Sequence, residues 1–189
     1  MPFRTMIFGA AAAALAASFA CAPALAAETI TATFTTPDGG VTTGSYDDIV
    51  KITVSGSGQS LGTNLNDAFY VYDPENPPVN DGNYYQLSFG TSTLVAADPS
   101  QDARNALVGA LPLFDPTHTY TFLLDTGVTS PTQLHFGVSD DVFGDNTGAF
   151  TITVAQVPEP AAWALMLVGV GFVGAGLRLG RRESVAASA

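Results

Sequence analysis

Between Thr29 and Ala155 the chain runs in short stretches of alternating apolar and polar residues, and clusters of Gly, Pro, Asn and Asp separate the stretches. A period of two sends successive side chains to opposite faces of an extended strand. Runs this short cannot make helices of useful length. They hide their apolar half by pairing into antiparallel sheets that share one core. "TITATFTT" (Thr29 to Thr36) alternates Ile30, Ala32 and Phe34 with threonines, and "PDGG" then turns the chain. "DIVKITVS" (Asp48 to Ser55) sets Val50, Ile52 and Val54 against Ile49, Lys51, Thr53 and Ser55. Further strands are expected in "AFYVY" (Ala68 to Tyr72), "YYQLSFG" (Tyr84 to Gly90), "TYTFLLD" (Thr119 to Asp125), "TQLHFGV" (Thr132 to Val138) and "GAFTITVAQ" (Gly148 to Gln156). Only Ser100 to Leu111 looks helical, and "DPENPPVNDG" (Asp73 to Gly82) reads as loop.

The N-terminus is of another kind. Arg4 precedes an apolar, small-residue stretch from Met6 to Ala20, and Ala24-Leu25-Ala26 has the small-x-small form that signal peptidase reads. Residues 1–26 are therefore expected to be a cleaved signal peptide, with Ala24 and Ala26 marking the site. Cleavage removes Cys21, the only cysteine, so the exported domain holds neither disulfide nor thiol chemistry.

Charge narrows the partners. From Ala27 to Val157 the basic residues are Lys51 and Arg104, against fifteen acids, thirteen of them Asp. With a net charge of −11 for the whole chain, such a surface repels nucleic acid and anionic headgroups and favours cations.

At the other end, Ala161 to Leu179 stays uncharged until Arg178. At ~1.5 Å per residue it matches a ~30 Å hydrocarbon core, and Arg178, Arg181 and Arg182 close it as a stop-transfer signal. A transmembrane helix over 161–179 is the expectation, with the membrane as a partner through it. Val157-Pro158-Glu159-Pro160, Trp163, the glycine-rich stretch and the arginines together resemble the PEP-CTERM sorting signal of Gram-negative bacteria. The same short motif circulates as an ice-binding protein C-terminal motif, although a sorting address contacts no ice. The resemblance implies an exosortase as processing partner. It also implies transient membrane anchoring before delivery to the cell surface or matrix, in systems that accompany exopolysaccharide and biofilm. The domain plan is thus signal peptide 1–26, an all-β antiparallel β-sandwich 27–156, the sorting signal 157–183 and a short tail 184–189.

Chemistry in the middle is sparse. His118 and His135 are the two histidines, and both read as structural or surface residues. No nucleophile elbow, zinc-protease helix or phosphate loop occurs, and the adjacent carboxylates Asp47-Asp48 and Asp140-Asp141 have nothing to set a catalytic geometry, so a non-enzymatic role is expected. The more telling stretch is "HFGVSDDVFGDNTGAFTITV", where Asp140, Asp141, Asp145 and Asn146 offer four oxygen-bearing side chains within seven positions. Such a set suits a calcium ion, with Gly144 expected to let the backbone bend carbonyls inward; an Asx-rich turn without metal is the alternative. This stretch is similar to the last loop of small bacterial galactose-binding calcium lectins, which are β-sandwiches. That likeness implies a first carboxylate at Asp140, the pair Asp145 and Asn146, and strand entry at Gly148 and Phe150; "NDAF" (Asn66 to Phe69) also matches a short lectin segment.

The function expected is an exported, non-catalytic surface or matrix protein, with a sandwich that binds extracellular polysaccharide through calcium as the sharper form of that reading. A purely structural matrix protein and a secreted hydrolase are the alternatives.

Overall fold

The computed structural model describes residues 26–61, 64–73, 77–80, 85–158 and 166–174. One compact unit spans Ala24–Pro158. Its first strands are β1 (Glu28–Thr33), β2 (Gly40–Val41), β3 (Ile49–Ser55), β4 (Gly58–Leu61), β5 (Asn64–Asn66) and β6 (Val71–Tyr72). There follow β7 (Leu87–Gly90), two 3-10 turns (Pro99–Gln101 and Ala103–Ala106), β8 (Leu107–Val108), β9 (Thr119–Asp125), β10 (His135–Val138) and β11 (Thr147–Gln156). Every pairing is antiparallel.

The larger sheet runs β6-β5-β4-β11-β3-β9-β8, with β1 also on β11; the smaller runs β2-β10-β7. β11 is the organising strand. β1 lies along it from Ala149 to Val154, while its other partners are β4 at Thr147 and Gly148 and β3 from Thr151 to Gln156. The period-two pattern is what buries one face. Val50, Ile52 and Val54 are fully buried, as are Phe150, Ile152 and Val154 on β11 and Leu124 on β9. Leu87, Phe89, Phe136 and Val138 from the smaller sheet join the same cluster, with Phe89 and Phe136 ring centroids 5.6 Å apart. Each fully buried aliphatic side chain contributes about 1.5–3 kcal/mol of transfer free energy.

The outer face of the larger sheet stays soluble through hydroxyls rather than charge. Thr29, Thr153, Thr53 and Thr121 stand in register across β1, β11, β3 and β9, with Thr31, Thr151, Ser55 and Thr119 one pleat further along. Within the first row, Thr29 bonds Thr153 at 2.9 Å and Thr53 bonds Thr121 at 3.0 Å. Close approach of the turn after β1 to β10 requires a glycine, because a Cβ on Gly137 would lie 1.9 Å from the Pro37 carbonyl oxygen. His135 clasps the same turn, its Nδ1 lying 2.9 Å from both oxygens of Asp38.

The helical reading of Ser100 to Leu111 gives way to two short 3-10 turns. Asp98 and Asp102 each cap the turn that follows, accepting from the backbone N–H of Ser100 and of Arg104. Two capping carboxylates four residues apart restart the chain before an α-helix can propagate. Arg104 also pairs with the Asp102 carboxylate and donates to Asn80.

The expected all-β sandwich ending in a membrane-crossing helix needs correction. Beside the strands and 3-10 turns the described residues include an α-helix at 166–174, so the content is mixed rather than purely β. Among the described residues no helix is long and apolar enough to cross a membrane. The membrane, expected as a partner through a helix over 161–179, therefore loses its structural basis. Positions 161–165 and 175–179 lie outside the described residues, as do Glu159, Pro160, Arg181, Arg182 and Ala24.

The start of the domain is held by one carboxylate. Glu28 Oε1 accepts from the Thr43 N–H at 2.6 Å and the Thr43 hydroxyl at 2.8 Å, and Oε2 accepts from the Gly44 N–H at 2.9 Å. Partial burial alone would raise its pKa, but these bonds and the one from the Tyr46 hydroxyl outweigh it and hold the pKa below the ordinary glutamate value. Burial and the facing Glu28 charge push Tyr46 up to about 12. A depressed folded-state pKa stabilises above the unfolded value of ~4.3 and loses that contribution as pH falls through the folded value. Glu28→Gln should therefore lower Tm by a few degrees at pH 7, with the gap to wild type closing below pH ~4. A gap that persists unchanged at pH 3 would contradict this role.

Candidate functional site

Of the four expected metal ligands, the fold buries two and exposes two. Asp140 and Asn146 are 3% and 5% exposed, whereas Asp141 and Asp145 face solvent. Asp140 lies two residues beyond β10, and its backbone carbonyl accepts from Ala97 N–H at 2.8 Å. Its Oδ1 closes an Asx turn, accepting from the N–H of Asp141 at 2.6 Å and of Val142 at 3.2 Å. Oδ2 is buried without a partner. Asn146 Nδ2 donates to the Phe34 carbonyl at 3.0 Å, which fixes the amide orientation and leaves Oδ1 buried and unpartnered as well. Gln86, next to Ser139 across the strand pair, is likewise buried with both amide atoms unpartnered.

Buried acceptors without donors cost roughly 1–3 kcal/mol each, so this loop carries an electrostatic debt. Among the described residues no group of three or more His, Cys, Asp or Glu side chains converges to hold a metal. Gly144 does not play the part expected of it. Its φ lies outside the left-handed region and a Cβ there would meet nothing within 4 Å, so the bend needs no glycine.

A second polar constellation escaped the sequence reading. Asp67 is completely buried and its two oxygens receive four donors. Oδ1 accepts from the N–H of Phe69 at 2.9 Å and of Tyr70 at 2.8 Å. Oδ2 accepts from the Tyr120 hydroxyl at 2.7 Å and lies 2.9 Å from His118 Nδ1. Burial and the Asp67 bond drive the Tyr120 hydroxyl far above its ordinary pKa, so it remains a donor.

The backbone delivers His118 through the turn Asp115-Pro116-Thr117. Asp115 Oδ1 accepts from the Thr117 N–H and hydroxyl, both at 2.8 Å, and the His118 N–H bonds the Asp115 carbonyl. His118 takes φ 52°, a left-handed conformation that costs a non-glycine residue energy. Its ring stacks on Tyr72 at 4.5 Å and 12°, with Phe114 edge-on at 5.7 Å. Asp67 and His118 stand 51 positions apart, and no local pattern announces their meeting. The one available hint was the rarity of histidine, since two residues carry all the imidazole in the chain.

Of the sorting residues only Pro158 is described, just beyond the end of β11. Gln156 Nε2 donates to the Asp47 carbonyl at 2.8 Å, and Val157 N–H bonds the Ile49 carbonyl at 3.2 Å. Pro158 follows, exposed and without an N–H to extend the ladder. Ala26 is exposed two residues before β1. Trp163 and Arg178, like the other sorting residues named above, lie outside the described residues.

Comparison with curated proteins and with solved structures gives no match. The PEP-CTERM protein-sorting motif matches residues 156–182. The chain thus carries a PEP-CTERM-like, exosortase-linked export signal near its C-terminus, and a cell-surface or extracellular destination fits it.

Proposed function

We propose that this protein is an exosortase-processed surface or matrix component whose β-domain is a non-catalytic module for extracellular polysaccharide. The observation that carries the reading is the sorting motif at 156–182, joined to a folded domain whose last ladder bond is at Val157. An acidic domain with regular hydroxyl rows and little charge on its sheet face is suited to a hydrated matrix of neutral polymers. The first test is the intact mass of the surface-released form. Its C-terminus should fall at or near Pro158-Glu159-Pro160; a main product still carrying Trp163 through Arg182 would refute processing.

A calcium-dependent form of this reading draws support from the last loop. Asp140 Oδ2 and Asn146 Oδ1 are acceptors with no donor, which is the chemistry a hard cation satisfies. Asp140 and Asn146 would hold the ion, with Asp145 and Asp141 available from the exposed side. Binding to the folded state alone stabilises by about 2.7 kcal/mol at a hundredfold excess over Kd. For a domain of this size that raises Tm on the order of 10 °C. Calcium, but not magnesium, should raise the Tm of the exported protein above its value in chelator, and Asp140→Asn should abolish the rise. Equal melting in chelator and in calcium would make the loop an ordinary Asx turn.

A further inference from the structure

We infer that His118, Tyr72 and Phe114 form a binding platform for a neutral saccharide, oriented from beneath by the buried Asp67. The inference rests on the polysaccharide-binding reading and places that binding away from the Asp140 loop. The ring atom that matters is His118 Nε2. Nδ1 lies 2.9 Å from the Asp67 carboxylate, so Nε2 is the ring nitrogen turned away from it. The His118 side chain is 22% exposed. An imidazole held in direction by a buried carboxylate, on a strained left-handed residue, is more order than a surface turn needs.

Its surroundings define the ligand. Tyr72 stacks on the imidazole, Phe114 stands edge-on to it and 5.9 Å from Tyr72, and both are partly exposed. Leu113, next in the chain, is 88% exposed, the highest value among the large apolar residues described. Aromatic faces carry partial negative charge and attract polarised C–H groups, while Nε2 and the Asp115 carboxylate can hydrogen-bond hydroxyl groups, which both donate and accept. Asp67, Asp115 and the net charge of −11 oppose an anion. A ring with one C–H face and a rim of hydroxyls, and no charge, meets all three conditions.

The test uses the exported protein and saturation-transfer NMR with glucose, galactose, mannose, N-acetylglucosamine and cellotetraose, alongside glucuronate and choline. Two variants probe the platform. His118→Asn tolerates the left-handed backbone and keeps a side-chain N–H for Asp67 while removing Nε2; Tyr72→Leu keeps apolar bulk and removes the ring. At least one neutral sugar should bind, glucuronate should bind less, and each variant should weaken binding at least tenfold with Tm within a few degrees of wild type. Sugar binding that survives both variants would overturn the platform and leave the polysaccharide reading standing. Binding of choline but no sugar would overturn the ligand class, and binding of no sugar at all would contradict the polysaccharide reading itself.

Discussion

The larger sheet depends on its last strand. β11 is hydrogen-bonded along both edges, so β1 has no other strand partner and β4 would lose its link to β3 without it. Three core residues, Phe150, Ile152 and Val154, arrive on this strand, and Phe150 packs on Phe34 with ring centroids 4.5 Å apart. A chain emerging N-terminus first cannot close this sheet until Gln156 has appeared. The closing strand and the sorting motif are adjacent in the chain, with only Val157 between Gln156 and Pro158.

Both ends of the domain lie at one end of the sheet. Glu28 pairs with Val154, so the first strand of the domain begins beside the strand end that leads into the sorting motif. Each is pinned by side chains rather than by sheet alone, Glu28 to Thr43 and Gly44, Gln156 to Asp47 and Ile49. The opposing demands are plain. The domain is held up to Val157, and under the proposed processing the segment from Pro158 onward would have to be presented to an exosortase. A proline at the boundary meets both demands, since it ends the ladder by lacking an N–H.

How far the sequence could be read follows from the range of the interactions involved. The alternating runs Asp48 to Ser55 and Thr119 to Asp125 became β3 and β9 with the buried faces their period requires, because period two acts through adjacent residues. "AFYVY" shrank to Val71 and Tyr72, since Asp67 takes the N–H groups of Phe69 and Tyr70 that a ladder would have used. The 3-10 turns replaced a helix through two capping carboxylates, a contest that apolar spacing does not register. In the candidate loop the residue types were readable, but which of Asp140, Asp141, Asp145 and Asn146 would be buried was not. That outcome depends on Phe34 and Ala97, which come from distant parts of the chain. Asp67 and His118 went unread for the same reason.

The central claim is that β11 closes a cooperative domain which ends at Val157, where the sorting address begins. Native-state hydrogen exchange on the exported protein tests it directly. Amides of β11 and β3 should exchange only through global unfolding, with protection continuing to Val157, while short edge strands such as β6 and β8 exchange through local opening. Exchange of the Ile152 and Val154 amides as fast as those of Val71 and Val108 would show that β11 does not hold the sheet, and would contradict the account.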